Sequence, residues 1–362
     1  DASFTTLTFG ADGSENTLSS GFGYNGQFLT ADGSGELYWG PAGGGGTTLV
    51  GTSLKSRLPN NNVNSDDSVS IGYQTGRQNS EEKTTLLGSY AGYSVAKEGS
   101  IAIGYESAYG AIKEKAISIG YNAAKNNLSA NGIGIGEEAC RGSGARIDCS
   151  ENCIGIGTHA GRYNLGEGSI AIGYKAHEDT ANTSPIGFKA VSIGYYAGQL
   201  GQQSNTVAIG SEAGKTNQEF RAISIGTNAG FIDQSNNSVA IGYYAGYTNQ
   251  DKTSVAIGSN SGYNEQGIVC VALGYRAGNS YQGYQHAYPG SIAIGNSAGL
   301  TRQYGRTIAI GYNAGQTDQS LNGIAIGENA GHTNQGSNCI ALGSNAGHTN
   351  QDQNTIVLNA TG

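Results

Sequence analysis

Five cysteines, five histidines and 22 tyrosines are the groups with which this chain could do chemistry. Cys140 and Cys149 bracket an insert and could close it as a disulfide; the odd total means that all five thiols cannot pair within one chain. Cys153, Cys270 and Cys339 fall at a repeat position otherwise held by Ser, Ala, Thr and Gly, so they read as small residues. No C-x-x-C pair occurs, and no metal site is expected. His332 and His348 share a position that also holds Lys215, Phe231, Tyr247 and Asn279, a variety that suits exposed surface rather than ligands. Acids such as Glu138 and Asp318 lie in variable columns, and no Ser/His/Asp set recurs with fixed spacing. Gly132, Gly134 and Gly136 imitate a phosphate loop, but no helical pattern follows them. The expectation is a protein without catalytic residues or cofactor, not an enzyme.

What must position these groups is a repeat. A glycine preceded by Ile or Leu recurs at 17 places from Gly72 to Gly343, passing through Gly104, Gly242 and Gly311. Thirteen of the gaps are 16 residues and three, after Gly136, Gly173 and Gly274, are 21. With this glycine as position 0, position −1 is Ile or Leu throughout and −3 is Val or Ile in all copies but one, Thr85. Position −4 is small, and so is −2 in all copies but one, Leu86. That alternation, rich in β-branched residues, predicts a strand. The glycine turns the chain, and a second glycine at +4 is expected to mark a second corner. One repeat is then one coil, and successive coils stack as parallel strands about 4.8 Å apart, some 80 Å in all. Ala, Ser and Gly on the second face suit close approach of another backbone. Both faces are therefore expected to be buried, one inside the coil and one against another chain.

Position +8 is Gln in every copy from Gly194 onward: Gln202, Gln218, Gln234, Gln250, Gln266, Gln282, Gln303, Gln319, Gln335 and Gln351. Amides one coil apart are expected to form a hydrogen-bonded ladder. Residues 67–359 thus form an all-β parallel solenoid of 16-residue coils, and 360–362 a terminal tail. Residues 1–40 read as a small β region, with Gln27–Thr30 and Glu36–Trp39 as strands about an Asp32-Gly33 turn. Residues 41–66 read as a Gly-rich and polar linker.

Composition narrows the partners. Glycine fills 61 of 362 positions and proline 4, which excludes collagen. The net charge is −8 with no basic cluster, so no nucleic acid is expected. No apolar run approaches the roughly 20 residues of a membrane helix, so no membrane insertion is expected.

The unit Asn322-Gly-Ile-Ala-Ile-Gly-Glu-Asn-Ala-Gly331 resembles the head repeat of YadA-type trimeric adhesins. The likeness covers roughly four-fifths of the chain, although coils of that family are commonly shorter. It implies a left-handed β-roll and a side-by-side homotrimer. Gln27–Trp39 and Asn354–Gly362 are similar to segments of fibre proteins of phages and large DNA viruses of algae and amoebae. In such proteins the latter segment precedes a chaperone domain removed after trimerisation. Together these resemblances imply a structural fibre on a virion surface, or otherwise extracellular, that attaches to a host glycan or receptor. A bacterial adhesin head and a polysaccharide-degrading fibre enzyme are the alternatives. The insert after Gly274, with Tyr281, Tyr284, His286 and Tyr288, is the candidate receptor-binding loop. Tyrosine also recurs at +1 in eight copies, read as packing over a turn or at a subunit contact rather than as a sugar-binding stripe.

Overall fold

The computed structural model describes residues 68–142, 149–163, 165–178, 187–284 and 289–359, together with five short strands before them. The chain divides into two compact units, residues 1–51 and 52–362. In the first, Gln27–Ala31 pairs antiparallel with Leu37–Pro41, and Thr8–Phe9 with Asn16–Thr17.

The second unit is a parallel β-solenoid with 16-residue spacing. Positions −3 to −1 of each coil pair in register with those of the next, as Val239↔Val255, Ala240↔Ala256 and Ile241↔Ile257. The 21-residue gaps leave this register intact, with Ile133 opposite Ile154, Ile170 opposite Val191 and Val271 opposite Ile292. Leu54–Lys55 pairs parallel with Val69–Ser70, so the ladder begins inside the stretch expected to be linker. A second ladder runs over positions +6 to +8, from Thr216–Gln218 to Thr349–Gln351. Shorter strands such as Ala111–Ile112 and Asn127–Leu128 form its counterpart in the earlier coils. Each regular coil is therefore two short strands, of three residues each in the later part of the stack, joined by two corners.

The corners depend on left-handed backbone. In the coil of Gly226, Gly226, Asn228, Gly230, Asp233 and Asn237 all have positive φ, at positions 0, +2, +4, +7 and +11. Glycine and Asn/Asp tolerate this region at least cost. Both glycines belong to one corner, spanning 0 to +5. The second corner lies at +9 to +12 and turns on the Asn at +11, not on the second glycine as expected. Glycine at 0 is also required by stacking. A Cβ on Gly242 would lie 2.8 Å from the carbonyl group of Gly258 in the next coil.

The face assignment is the principal correction. Ala240, Ala256, Ala272 and their equivalents at −2 are fully buried, as are the alanines at +3 and the residues at −4. The small side chains fill the inside of the coil; they do not face another chain. Two short strands linked by tight corners enclose too little volume for Ile or Leu in every column. The large residues at −3 and −1 point outward and stay half-exposed, with Leu273 at 41% and Leu342 at 46%. In most coils one larger side chain completes the interior, at +8: Ile112, Leu128 and Leu165 early in the stack, then the glutamines.

Candidate functional site: the corner face and the coil interior

The columns that vary most are +1, +2 and +5, which all belong to the first corner. Tyrosines at +1 are exposed by 41% to 54%, and neighbours stack, Tyr105 on Tyr121 at 5.6 Å and Tyr174 on Tyr195 at 5.4 Å between ring centroids. Their periodicity was legible in sequence. Their partners at +2 and +5 were not, because those columns change chemistry along the stack. Tyr93 lies parallel to Tyr109 at 4.7 Å, and Phe231, Tyr247 and Tyr263 form a continuous stack at 4.9 Å spacing. Tyr196 packs against Tyr195 and Tyr174; burial and the Tyr195 hydrogen bond push its hydroxyl up to about 12.

Between these aromatic stretches the same columns hold an ionic network. Glu138 is not isolated: it binds Arg141 at 2.5 Å and Arg162 at 2.7 Å, with His159 Nε2 at 3.3 Å. Arg162, Lys175 and the other ring nitrogen of His159 approach the buried Glu178. Two carboxylates are thus shared among Arg141, Arg162, Lys175 and His159. Asp318 is likewise paired, with Arg302 at 2.6 Å. His332 and His348 stack at 4.9 Å, and loss of hydration followed by their mutual repulsion lowers the pKa of His332.

Of the candidate receptor loop, Tyr281 is half-exposed at a left-handed φ of 60°, in the strand Ser280–Tyr284. The Tyr284 side chain, His286 and Tyr288 lie outside the described residues.

Inside the coils, the glutamines hydrogen-bond from coil to coil. Gln218 Nε2 donates to Gln234 Oε1, Gln234 to Gln250 and Gln250 to Gln266, each at 3.0 Å. Gln202 donates to Gln218, Gln319 to Gln335 and Gln335 to Gln351 at 3.0 to 3.1 Å. The same amides donate to the carbonyl at −3, as Gln250 to Val239 O at 2.8 Å. The ladder is interrupted between Gln282 and Gln303, whose coils flank the insert after Gly274; Gln282 keeps its bonds to Val271 O and Ser291 O, and Gln303 Oε1 is buried without a partner among the described residues. His177 occupies +4, fully inside, with Nδ1 2.6 Å from Gln202 Oε1; burial lowers its pKa.

Cys140, Cys149 and Cys153 are free and buried, so the anticipated Cys140–Cys149 disulfide is absent. Their three sulfurs instead lie within 4.8 Å of one another. Burial pushes the Cys149 thiol well up, whereas hydrogen bonds from Cys140 and Cys149 pull Cys153 down to about 5. Cys270 and Cys339 behave as the small polar residues expected of their column. Cys339 Sγ donates to Asp352 O much as Ser291 Oγ donates to Tyr304 O.

Among the described residues no helix is long and apolar enough to cross a membrane. Comparison of the chain with known protein families, with curated proteins and with solved structures finds no match.

Proposed function

We propose that this chain is a structural fibre protein, a parallel homotrimer that displays attachment surfaces for a host glycan or receptor at a virion surface. The observation that carries this reading is the outward column of Ile, Val and Leu at −3 and −1, broken along the ladder only by Thr85 and half-exposed in a single chain. An apolar strip of that length is far larger than a monomer ordinarily leaves in water. A partner for it must repeat at the same strand spacing over the same distance, and another copy of this chain meets that condition. Each Ile or Val that loses its remaining exposure contributes on the order of 1 kcal/mol. Two per coil over 17 coils exceed the roughly 4–15 kcal/mol cost of association. Three copies about one axis is the number that the likeness to trimeric adhesin heads implies, and cyclic closure leaves no copy with an open face.

Attachment is assigned to the corner face and to the insert after Gly274. Both interrupt an otherwise uniform stack, and tyrosines there offer flat apolar area beside a hydroxyl. Light scattering on the full chain tests the assembly. A mass of three times 37.0 kDa is expected, and a stable 37.0 kDa monomer would overturn the reading. Replacing Tyr281, Tyr284 and Tyr288 with Ala should leave the assembly's melting temperature nearly unchanged and reduce attachment to host cells. Unchanged attachment would exclude this insert as the receptor site.

A further inference from the structure

Two of the three thiols of the coil between Gly136 and Gly157, Cys140 and Cys149, occupy columns that hold no cysteine elsewhere. Cys140 is at +4, a column that is glycine in most coils, and it adopts the same left-handed backbone, with φ 51°. Cys149 is at +8, between Leu128 and Leu165, and bridges to Leu165 in parallel register. Cys153 is at −4, in the serine column. The sulfurs therefore approach one point from both corners and from the second strand. All three are buried in the apolar cluster of the early coils.

The surroundings have been cut back to make room for the Cys140 sulfur. Position −2 is Gly in two coils only, at Gly134 and Gly155, the two coils that contain Cys140 between them. A Cβ on Gly155 would lie 2.5 Å from Cys140 Sγ, and one on Gly134 would lie 3.2 Å from Cys140 Cβ. An alanine at +4 makes no such demand, since Ala108 shares its coil with Ala102 at −2. At Gly155 it is the sulfur that requires the glycine. Leucine at +8 is likewise replaced by the smaller Cys149.

We propose that Cys140, Cys149 and Cys153 form a buried three-sulfur site for a thiophilic metal ion, and that the ion is Cu(I). Sulfurs bound to one such ion in trigonal or tetrahedral geometry are about 4 Å apart, for metal–sulfur bonds of about 2.3 Å. The observed separations, all within 4.8 Å, reach that value by small side-chain rotations. Thiolate donors select soft ions. Zn(II) in a closed site takes four ligands, and among the described residues no fourth side-chain donor joins the set. Cu(I) is satisfied by three. On binding, metal–sulfur bonds form and thiol protons pass to solvent; the oxidation states of sulfur and copper do not change. The site is independent of the assembly and of host attachment.

The test uses the full chain, reduced and handled without oxygen, with Cu(I) as the probe and a Cu(I) chelator as competitor. Each cysteine has a natural replacement from its own column: Cys140→Ala as at Ala108, Cys149→Leu as at Leu165, and Cys153→Ser as at Ser169. The triple variant removes all three sulfurs at once. The wild-type chain is expected to retain about one copper per chain, coordinated by three sulfurs in X-ray absorption, with release of protons. Each single variant should fall below about a tenth of that occupancy, while Cys270→Ser and Cys339→Ser retain it. Circular dichroism of the triple variant should match wild type, separating loss of the site from loss of the fold. Any of three results would overturn the proposal. These are no copper on the wild-type chain, copper undiminished in the triple variant, or a disulfide among these cysteines in the protein as isolated. Retention of Zn(II) in preference to Cu(I) would overturn the choice of ion.

Discussion

Ala240 and Leu273 are small and large residues of the same kind of strand, and a charge placed on each has a different consequence. Ala240 is fully buried inside its coil, so Ala240→Glu, like Ala309→Glu, buries an unpaired carboxylate and should prevent the coil from forming. Leu273 faces outward, so Leu273→Lys leaves the coil folded and should weaken association alone. Circular dichroism and light scattering together separate the two. Gln250→Leu fits a column that accepts Leu128 and Leu165, but it strands Gln266 Oε1 and one donor bond of Gln234. A loss of about 1–3 kcal/mol is expected from denaturant unfolding. His177 supplies a pH dependence. Its folded pKa lies below the unfolded value of about 6.5, so the unfolded chain binds the proton more readily. Stability is retained above that pH and lost as pH falls below it. The melting temperature should decline from pH 7 to pH 5, and His177→Gly, the residue common at +4, should flatten the decline.

At the scale of the coil, volume is conserved while identity is not. Leu86 stands where other coils have Ala or Ser at −2, and Ala96 then stands at +8 where Ile112 and Leu128 follow; both lie against Gly92. The thiol coil makes a comparable exchange, with glycine at −2 and cysteine at +4 and +8. Columns are therefore the unit of design, and coils are modular. Removing Gly311 through Ile326 should leave a folded solenoid shorter by about 4.8 Å, because Ile310 then precedes Gly327 in unchanged phase. Removing eight residues takes away one strand and one corner and should abolish folding. Equal behaviour of the two deletions, judged by circular dichroism and small-angle scattering, would contradict one coil per repeat.

At the scale of the molecule, the inward and outward faces divide the work. The interior holds each chain together through small residues and an amide ladder, and in the proposed assembly the outward Ile and Val columns are left for association. In the trimeric reading these columns meet between copies, and the corner columns remain at the periphery. Assembly should then be insensitive to salt, because its contacts are apolar, whereas the Glu138–Arg162–Glu178 network on the corner should not. Light scattering across a range of ionic strength checks this; dissociation at high salt would place charged groups in the interface.

Period, strand and stacking were all legible in the sequence, because a 16-residue repeat with alternating large and small residues admits no helix and fixes one coil per repeat. The glutamine column announced its ladder, since ten identical amides one coil apart have each other as nearest polar neighbours. Which face lies inside was decided only by the tertiary structure. Alternation at −4 to −1 fixes two faces but not their direction, and the direction follows from how little volume the corners enclose. The corners themselves depend on left-handed backbone at +2, +7 and +11, held by residues as different as Asn228, Tyr244 and Val269, a constraint that no single residue type announces in sequence. The thiol cluster was hidden for a related reason. Cys140 and Cys149 are nine residues apart and Cys153 four further on, a spacing with no meaning until the coil folds +4, +8 and −4 onto one axis. Sequence determines what repeats; the closed coil determines what meets.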